Sequence, residues 1–415
     1  MPNFRHLSLR SLICLILAVP SLVLVACPGS KQTSKPEEPG QASTTPLRST
    51  PGLYLVYTVN DPRDSPVSGR TAHVLIADPR SQRREILFDF PGFIFHICPS
   101  PDGKYVAFVG SAWGPDGGEV RDLFLFDMAD SSYRDASASG HFSRAVKTAP
   151  IFSPDGSIVL FLSQWAVGSG EFNIFKCQVD SGKIGGLYTD PVEDTPLTFM
   201  PDGRHCIAVR RIRNVPGQFE YISVDIDSGK SAVVHKFELV TKVGPAFFDP
   251  TGSTIYCDLK PMEPEGVFGG GVRSRTIVAI DLVTGEMTKL LDPSAVSYVY
   301  QVWPDKDGDP WMLIRRQEAK DEEETPMSYI AASQVDGSDF KYLTGSDARC
   351  YLLPPPSNIP PISPDYSLLF YYRQDPVFKN EDIWVMKPDG TDPVNISNTA
   401  GYPEGSAGWI VIPPV

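Results

Sequence analysis

The sequence is poor in the residues that most enzyme chemistry depends on. Only six of its 415 residues are histidine, and none sits in the His-Glu-x-x-His pair that holds zinc on one helix face. There is no Gly-x-Ser-x-Gly elbow to expose a nucleophilic serine. The one run of three glycines, Phe268-Gly269-Gly270-Gly271, lacks the Gly-Lys-Ser/Thr ending of a phosphate loop. The Asp-x-Asp-x-Asp-Gly spacing of a calcium loop is missing as well. No catalytic residue, metal site or cofactor is therefore assigned.

Positive charge is also short: 37 Lys and Arg stand against 50 Asp and Glu, a net charge of −13. This argues against nucleic acid as a partner, because phosphate contacts need a basic footprint. Past the first 26 residues, no apolar run is long enough to span a bilayer. The seven cysteines form no even framework: once Cys14 and Cys27 are set aside, Cys98, Cys177, Cys206, Cys257 and Cys350 remain. Cys206 and Cys257 occupy comparable places in adjacent repeats. Buried small hydrophobes are the simpler reading of that pair than a bridge.

The N-terminus reads as an export signal, with Arg5 and Arg10 ahead of an apolar stretch from Leu12 to Val25. It ends Leu24-Val25-Ala26-Cys27, which resembles a bacterial lipobox. Residues 1–26 are then expected to be removed and Cys27 to carry lipid, placing the mature chain on the periplasmic or cell-surface side of a membrane. Residues 27–51, rich in Ser, Thr, Pro and Gln, read as a flexible tether. Residues 52–415 form the folded body.

That body is built on a repeated corner. SPDGKYVAF at Ser100 returns as SPDGSIVLF at Ser153, MPDGRHCIA at Met200, DPTGSTIYC at Asp249, PDKDGDPWM at Pro304 and SPDYSLLFY at Ser363. In each copy a tight turn launches a β-rich run: proline sets φ, the Asp side chain accepts from a nearby amide, and glycine takes the left-handed position. Asp102, Asp155, Asp202, Gly103, Gly156 and Gly203 are accordingly assigned to turn-making. Each corner belongs to a unit of four antiparallel strands. The third strands run LFLFD from Leu123, NIFKC from Asn173, YISVD from Tyr221, IVAID from Ile277, YIAAS from Tyr329 and DIWVM from Asp382.

Six units are complete, and the leftovers complement each other. LYLVYTV, AHVLIAD and REILFDF near the start supply a second, third and fourth strand, while GYPEGSAGWIVI at the end supplies a first. Joined, they make a seventh sheet and leave no open edge. The expected fold is an all-β, seven-bladed β-propeller of four-stranded antiparallel blades, closed by its N- and C-terminal strands. Eroded corners at Asp305 and Tyr366 leave six or eight blades open as alternatives.

The SPDG corners and DIWVMKPDGTDPVNIS from Asp382 resemble the TolB-type, WD-repeat-like propellers, relatives of the propeller domains of dipeptidyl-peptidase-type enzymes. The likeness spans Leu53 to about Ile412. It implies the propeller fold and leaves the task open, because its motif residues make turns.

Strand alternation puts the corners and the Gly turns on one face, and the long second-to-third-strand loops on the other. Recognition is expected on the loop face. Arg210, Arg211, Arg315, Arg316 and Arg373 end strands there, and converging guanidinium groups would suit a carboxylate, a sulfate or a sugar acid. Pairing with carboxylates such as the Asp321–Glu324 run is the plainer alternative. Trp113, Trp165 and Phe268 lie in the same loops, where they suit carbohydrate stacking or protein contact. The expected role is a monomeric binding or scaffolding module of the cell envelope, taking an envelope protein or a small anionic or carbohydrate ligand. A polysaccharide lyase or glycosidase at the channel mouth and a small-ligand sensor are the alternatives.

Overall fold

A computed structural model describes residues 45–60, 71–113, 119–137, 147–164, 171–195, 197–262, 275–290, 296–318, 327–345, 348–352, 360–374, 381–398 and 404–414. Cys27, Trp165, Phe268 and Asp321–Glu324 lie outside these residues, and of Trp113 only the backbone is described.

Seven antiparallel sheets form, one for each sequence unit. Blade 1 joins the chain ends in the order Glu404–Ile412, Gly52–Asn60, Thr71–Ala77, Arg84–Pro91. Its closing pair sets Gly52 opposite Ile412 and Leu55 opposite Trp409. Blade 2 runs Phe93–Pro99, Tyr105–Trp113, Glu119–Asp127, Ser132–Asp135; blade 3 runs Lys147–Phe152, Ile158–Gln164, Phe172–Gln178, Ile184–Val192. Blade 4 holds Thr198–Phe199, His205–Arg211, Phe219–Asp225 and Ser231–Phe237. In blade 5 the first strand is split into Val240–Val243 and Phe247–Phe248, ahead of Thr254–Pro261, Thr276–Asp281 and Met287–Lys289. Blade 6 is Val296–Pro304, Pro310–Glu318, Met327–Gln334 and Lys341–Tyr342; blade 7 is Arg349–Tyr351, Leu369–Gln374, Glu381–Met386 and Val394–Asn395.

Burial explains why this arrangement suits the sequence. Second strands such as Ile158–Ser163 are buried at consecutive positions, because a blade is covered on both faces and side chains of either parity enter a core. Fourth strands such as Ser132–Asp135 and Met287–Lys289 are exposed throughout and form the outer rim. The apolar residues fall into seven layers, one between each pair of neighbours. The layer that seals the ring packs Phe370, Tyr372 and Ile383 of blade 7 against Leu55, Tyr57 and Trp409 of blade 1. Two hydrogen bonds reinforce that seam, Trp409 Nε1 to the Pro361 carbonyl and Tyr372 Oη to the Gly405 carbonyl, each 2.8 Å. Six- and eight-bladed alternatives are thereby ruled out.

The corners are closed by side chains. Ser100 Oγ donates to Asp102 Oδ1 at 2.7 Å and accepts from the Tyr105 amide at 2.9 Å, while Asp102 accepts from the Lys104 amide at 3.2 Å. The same Ser-to-Asp bond recurs at Ser153 with Asp155 and at Ser363 with Asp365. At Asp202 the acceptor role is kept toward the Arg204 and His205 amides. The Ser153 hydroxyl and Ser157 amide hold the Asp155 carboxyl below the usual range, since bonds donated to a carboxylate favour its charged form. Cys206 and Cys257 are free thiols buried in different layers.

Candidate functional site

Pleating decides which arginines can meet. Adjacent strand residues leave a blade on opposite faces, and Arg315 and Arg316 stack on different rings accordingly, Tyr351 and Phe340. Arg316 lies over the Phe340 ring, 5.0 Å from its centroid, on the side of blade 6 that packs against blade 5. Arg315 points the other way, toward blade 7. Arg373 lies 4.7 Å over Trp384 within its own blade. Arg211 is two blades away from Arg315, paired with Glu193 at 3.0 Å. The expected convergence of Arg211, Arg315, Arg316 and Arg373 on one ligand therefore does not occur.

The arginines of blade 4 line a groove of about 570 Å³ against blade 3. There each has a carboxylate: Arg210 with Glu220 and Arg213 with Glu171, besides Arg211 with Glu193. Arg210 also donates to Tyr188 Oη at 3.0 Å. Burial raises the pKa of Glu193 while Arg211 opposes the rise. A groove whose guanidinium groups are each matched in this way offers little to an incoming anion.

A different constellation forms where the ends of blades 5, 6 and 7 meet on the loop face. Arg275, the residue before a third strand, pairs with the fully buried Asp258 and reaches out of blade 5 to lie 4.5 Å over the Tyr298 ring of blade 6. Arg315 approaches the same ring at 5.9 Å and the Tyr351 ring of blade 7 at 5.7 Å. Its Nε donates to Ser328 Oγ at 2.8 Å. No carboxylate among the described residues lies within ion-pair distance of Arg315. Arg349, two residues before Tyr351 and so on the same face of its strand, has a buried Nε without a hydrogen-bond partner among the described residues. Two guanidinium groups, from blades 5 and 6, thus lie against the two tyrosine rings, and the charge of a third, Arg349 of blade 7, acts on Tyr351.

The electrostatics divide this cluster into neutral and charged parts. Burial, then the hydrogen bond and charge of Glu381, push the Tyr351 phenol far above its ordinary pKa, so it stays protonated. Tyr300, which donates to the Leu352 carbonyl at 3.3 Å, is pushed up to about 12 by burial, against the opposing charge of Arg315. Burial also raises the Asp258 carboxyl, with Arg275 acting in the opposite direction. Planar cations stacked on aromatic rings, with donors directed away from the ring, suit a carboxylate or sulfate. Among the described residues no three His, Cys, Asp or Glu side chains are grouped as metal ligands.

Of this set, sequence reading singled out Arg315 alone. Arg275, Asp258, Tyr298, Arg349, Tyr351 and Glu381 carry no motif. They meet only because neighbouring blades are rotated about a common axis.

The fold defines the class: the chain is a seven-bladed β-propeller with four-stranded antiparallel blades. No protein-family model matches it, and no curated protein does. Among solved structures, it is similar to the β-propeller domain of the Trilobed protease from Pyrococcus furiosus, at 12% identity and a TM-score of 0.52, over 74% of this chain and 86% of that one. It is also similar to an oligogalacturonate lyase in complex with manganese, at 13% identity and a TM-score of 0.50, over 85% of this chain and 87% of that one. TolB from Acinetobacter baumannii matches at 16% identity with a TM-score of 0.44, over 68% of this chain. The present chain spans 61% of that TolB. At these identities the first two similarities speak for the propeller fold alone.

Proposed function

We propose that this protein is an exported, lipid-anchored binding module of the cell envelope whose loop face, at blades 5 to 7, takes a small ligand bearing a carboxylate or sulfate. The observation that carries the reading is the meeting of Arg275, Arg315 and Arg349 around Tyr298 and Tyr351, with the Arg349 Nε buried and lacking an acceptor among the described residues. A buried donor without a partner costs about 1–3 kcal/mol, a cost that a ligand oxygen placed there would offset. Lipid attachment at Cys27 would hold the protein at the membrane, with residues 28–51 as the tether.

The test is calorimetric titration of the protein with sulfate and with galacturonate. Binding of at least one is expected, with a loss of tenfold or more in Arg315→Ala and a smaller loss in Arg315→Lys, which keeps the charge and loses the fork. Titrations that show no binding, or Arg315→Ala binding as tightly as the parent, would overturn the proposal.

The second reading is an enzyme acting on acidic polysaccharide at the same place. Its support is the presence of Glu381 and Tyr351 beside the arginines, a carboxylate and a phenol coupled within one cluster. Incubation with polygalacturonate would then yield chain shortening, and an unchanged polymer length excludes that activity for this substrate.

A further inference from the structure

The face that carries the tight turns holds a groove among the described residues. Between blades 6 and 7 lies a groove of about 580 Å³, within the size range of small-ligand sites. Its walls include Trp303, Trp311, Lys341, Tyr366 and Lys387. Trp303 and Trp311 sit directly opposite each other on paired strands, with ring centroids 6.4 Å apart. The Lys341 ammonium stands 4.8 Å over the Trp311 ring, and no carboxylate among the described residues lies within ion-pair distance of it.

The corner of blade 7 departs from the others at the position where glycine is worth most. Gly103, Gly156, Gly203, Gly252 and Gly308 occupy the left-handed position of their corners, with φ between +66° and +89°. In blade 7 the corresponding residue is Tyr366, with φ +57°. A side chain in that conformation brings Cβ against the following carbonyl, so a large aromatic residue is disfavoured there. The ring does not repay this by burial: Tyr366 is 46% exposed, on the groove wall. Strain retained for an exposed aromatic ring in a concave site is characteristic of ligand contact.

The polar groups narrow the ligand. Asp305 accepts from the Asp307 and Asp309 amides and from the Trp311 indole. Asp365 and Asp389 accept from amides and hydroxyls within their own turns. The carboxylates of the groove are thus committed to the corners. Of its three lysines, Lys306 pairs with Asp307 at 3.1 Å and Lys387 with Asp392 at 2.7 Å, which leaves Lys341 as the donor not taken up by an ion pair among the described residues. Exposed aromatic surface beside donors fits a ring with one apolar face and a rim of acceptor oxygens. We infer that this groove is a saccharide-binding site, with a pyranose stacked on Tyr366 and its hydroxyl or carboxylate oxygens bound by Lys341.

Tryptophan fluorescence titration tests this, using cellotetraose, chitotetraose and tetragalacturonate as probes and the full chain throughout. At least one probe should give a saturable change; tetragalacturonate alone would identify an acidic saccharide, and the other two a neutral one. Tyr366→Gly should weaken that binding at least tenfold while keeping the melting temperature within about 3 °C of the parent, because glycine relieves the turn. Lys341→Ala, at an exposed side chain, should weaken it as well. A tetragalacturonate response that Arg315→Ala removes and Tyr366→Gly leaves in place belongs to the loop face and counts against this site. The inference is overturned if all three probes are inert, or if Tyr366→Gly binds like the parent. It also fails if Tyr366→Gly melts well below that limit, which would make the ring a packing element.

Discussion

Replacing Gly103 by alanine tests how the ring is closed. Gly103 has φ +73°, and a Cβ placed on it would overlap the carbonyl oxygen of Val411, in the strand that the C-terminus contributes to blade 1. Gly285 has the same φ, +73°, yet a Cβ there meets nothing within 4 Å. The pair separates two costs. Alanine in the left-handed region costs about 1–2 kcal/mol, offset by about 0.5–1 kcal/mol because the unfolded chain loses less entropy than with glycine. Gly285→Ala should therefore cost about 1 kcal/mol or less. Gly103→Ala carries the same term and adds steric strain of about 1–3 kcal/mol from displacing the closing strand. Its total is about 2–4 kcal/mol, several times the control. Urea unfolding at matched slopes measures both values directly. Equal losses in the two variants would refute the reasoning, since they would show that the corner of blade 2 does not bear on the closing strand.

Asp258 gives a pH-dependent outcome. Burial raises its folded pKa above the usual 3.8, so the folded state holds this proton more tightly than the unfolded chain. Stability from this group is complete below about pH 4 and is lost as pH rises from there through the folded pKa. Asp258→Asn should remove that part of the pH slope in thermal melts between pH 4 and pH 7, and an unchanged slope would refute the assignment. For the anchor, Cys27→Ala should move the protein from the detergent phase to the aqueous phase on phase partitioning. Retention in the detergent phase would show that something other than lipid on Cys27 holds it.

Tyr366 illustrates how closely the readable and the unreadable parts of this protein adjoin. In the sequence that residue reads as an eroded corner, SPDY in place of SPDG, and bears only on the blade count. The structure shows the same backbone turn with a tyrosine in the glycine place, so the count stands and the exception becomes a feature of the groove. The sequence points to the loop face for recognition, whereas this groove opens on the face of the corners. A turn motif reports local backbone geometry, and a cavity between two turns is a relation between blades.

The arginines show the same division. Runs such as Arg210-Arg211 and Arg315-Arg316 mark strand ends, and that much is local. Period-two alternation sends Arg315 and Arg316 to opposite faces, where they meet Tyr351 and Phe340, whereas Arg210 and Arg211 both reach carboxylates of one groove, Glu220 and Glu193. Which partner waits there depends on the neighbouring blade.

From the sequence alone came the strands, the corners, the number of blades and the closure by both chain ends. These follow from turn chemistry and apolar patterning repeated at short range, so each unit announces itself. The two candidate sites were decided by tertiary structure, because residues such as Arg275, Tyr298 and Tyr351 belong to three different blades. Sequence separation says nothing about their approach. The physical reason is the radial packing of the sheets: each blade buries both faces against its neighbours, and that packing alone sets which strand ends come together.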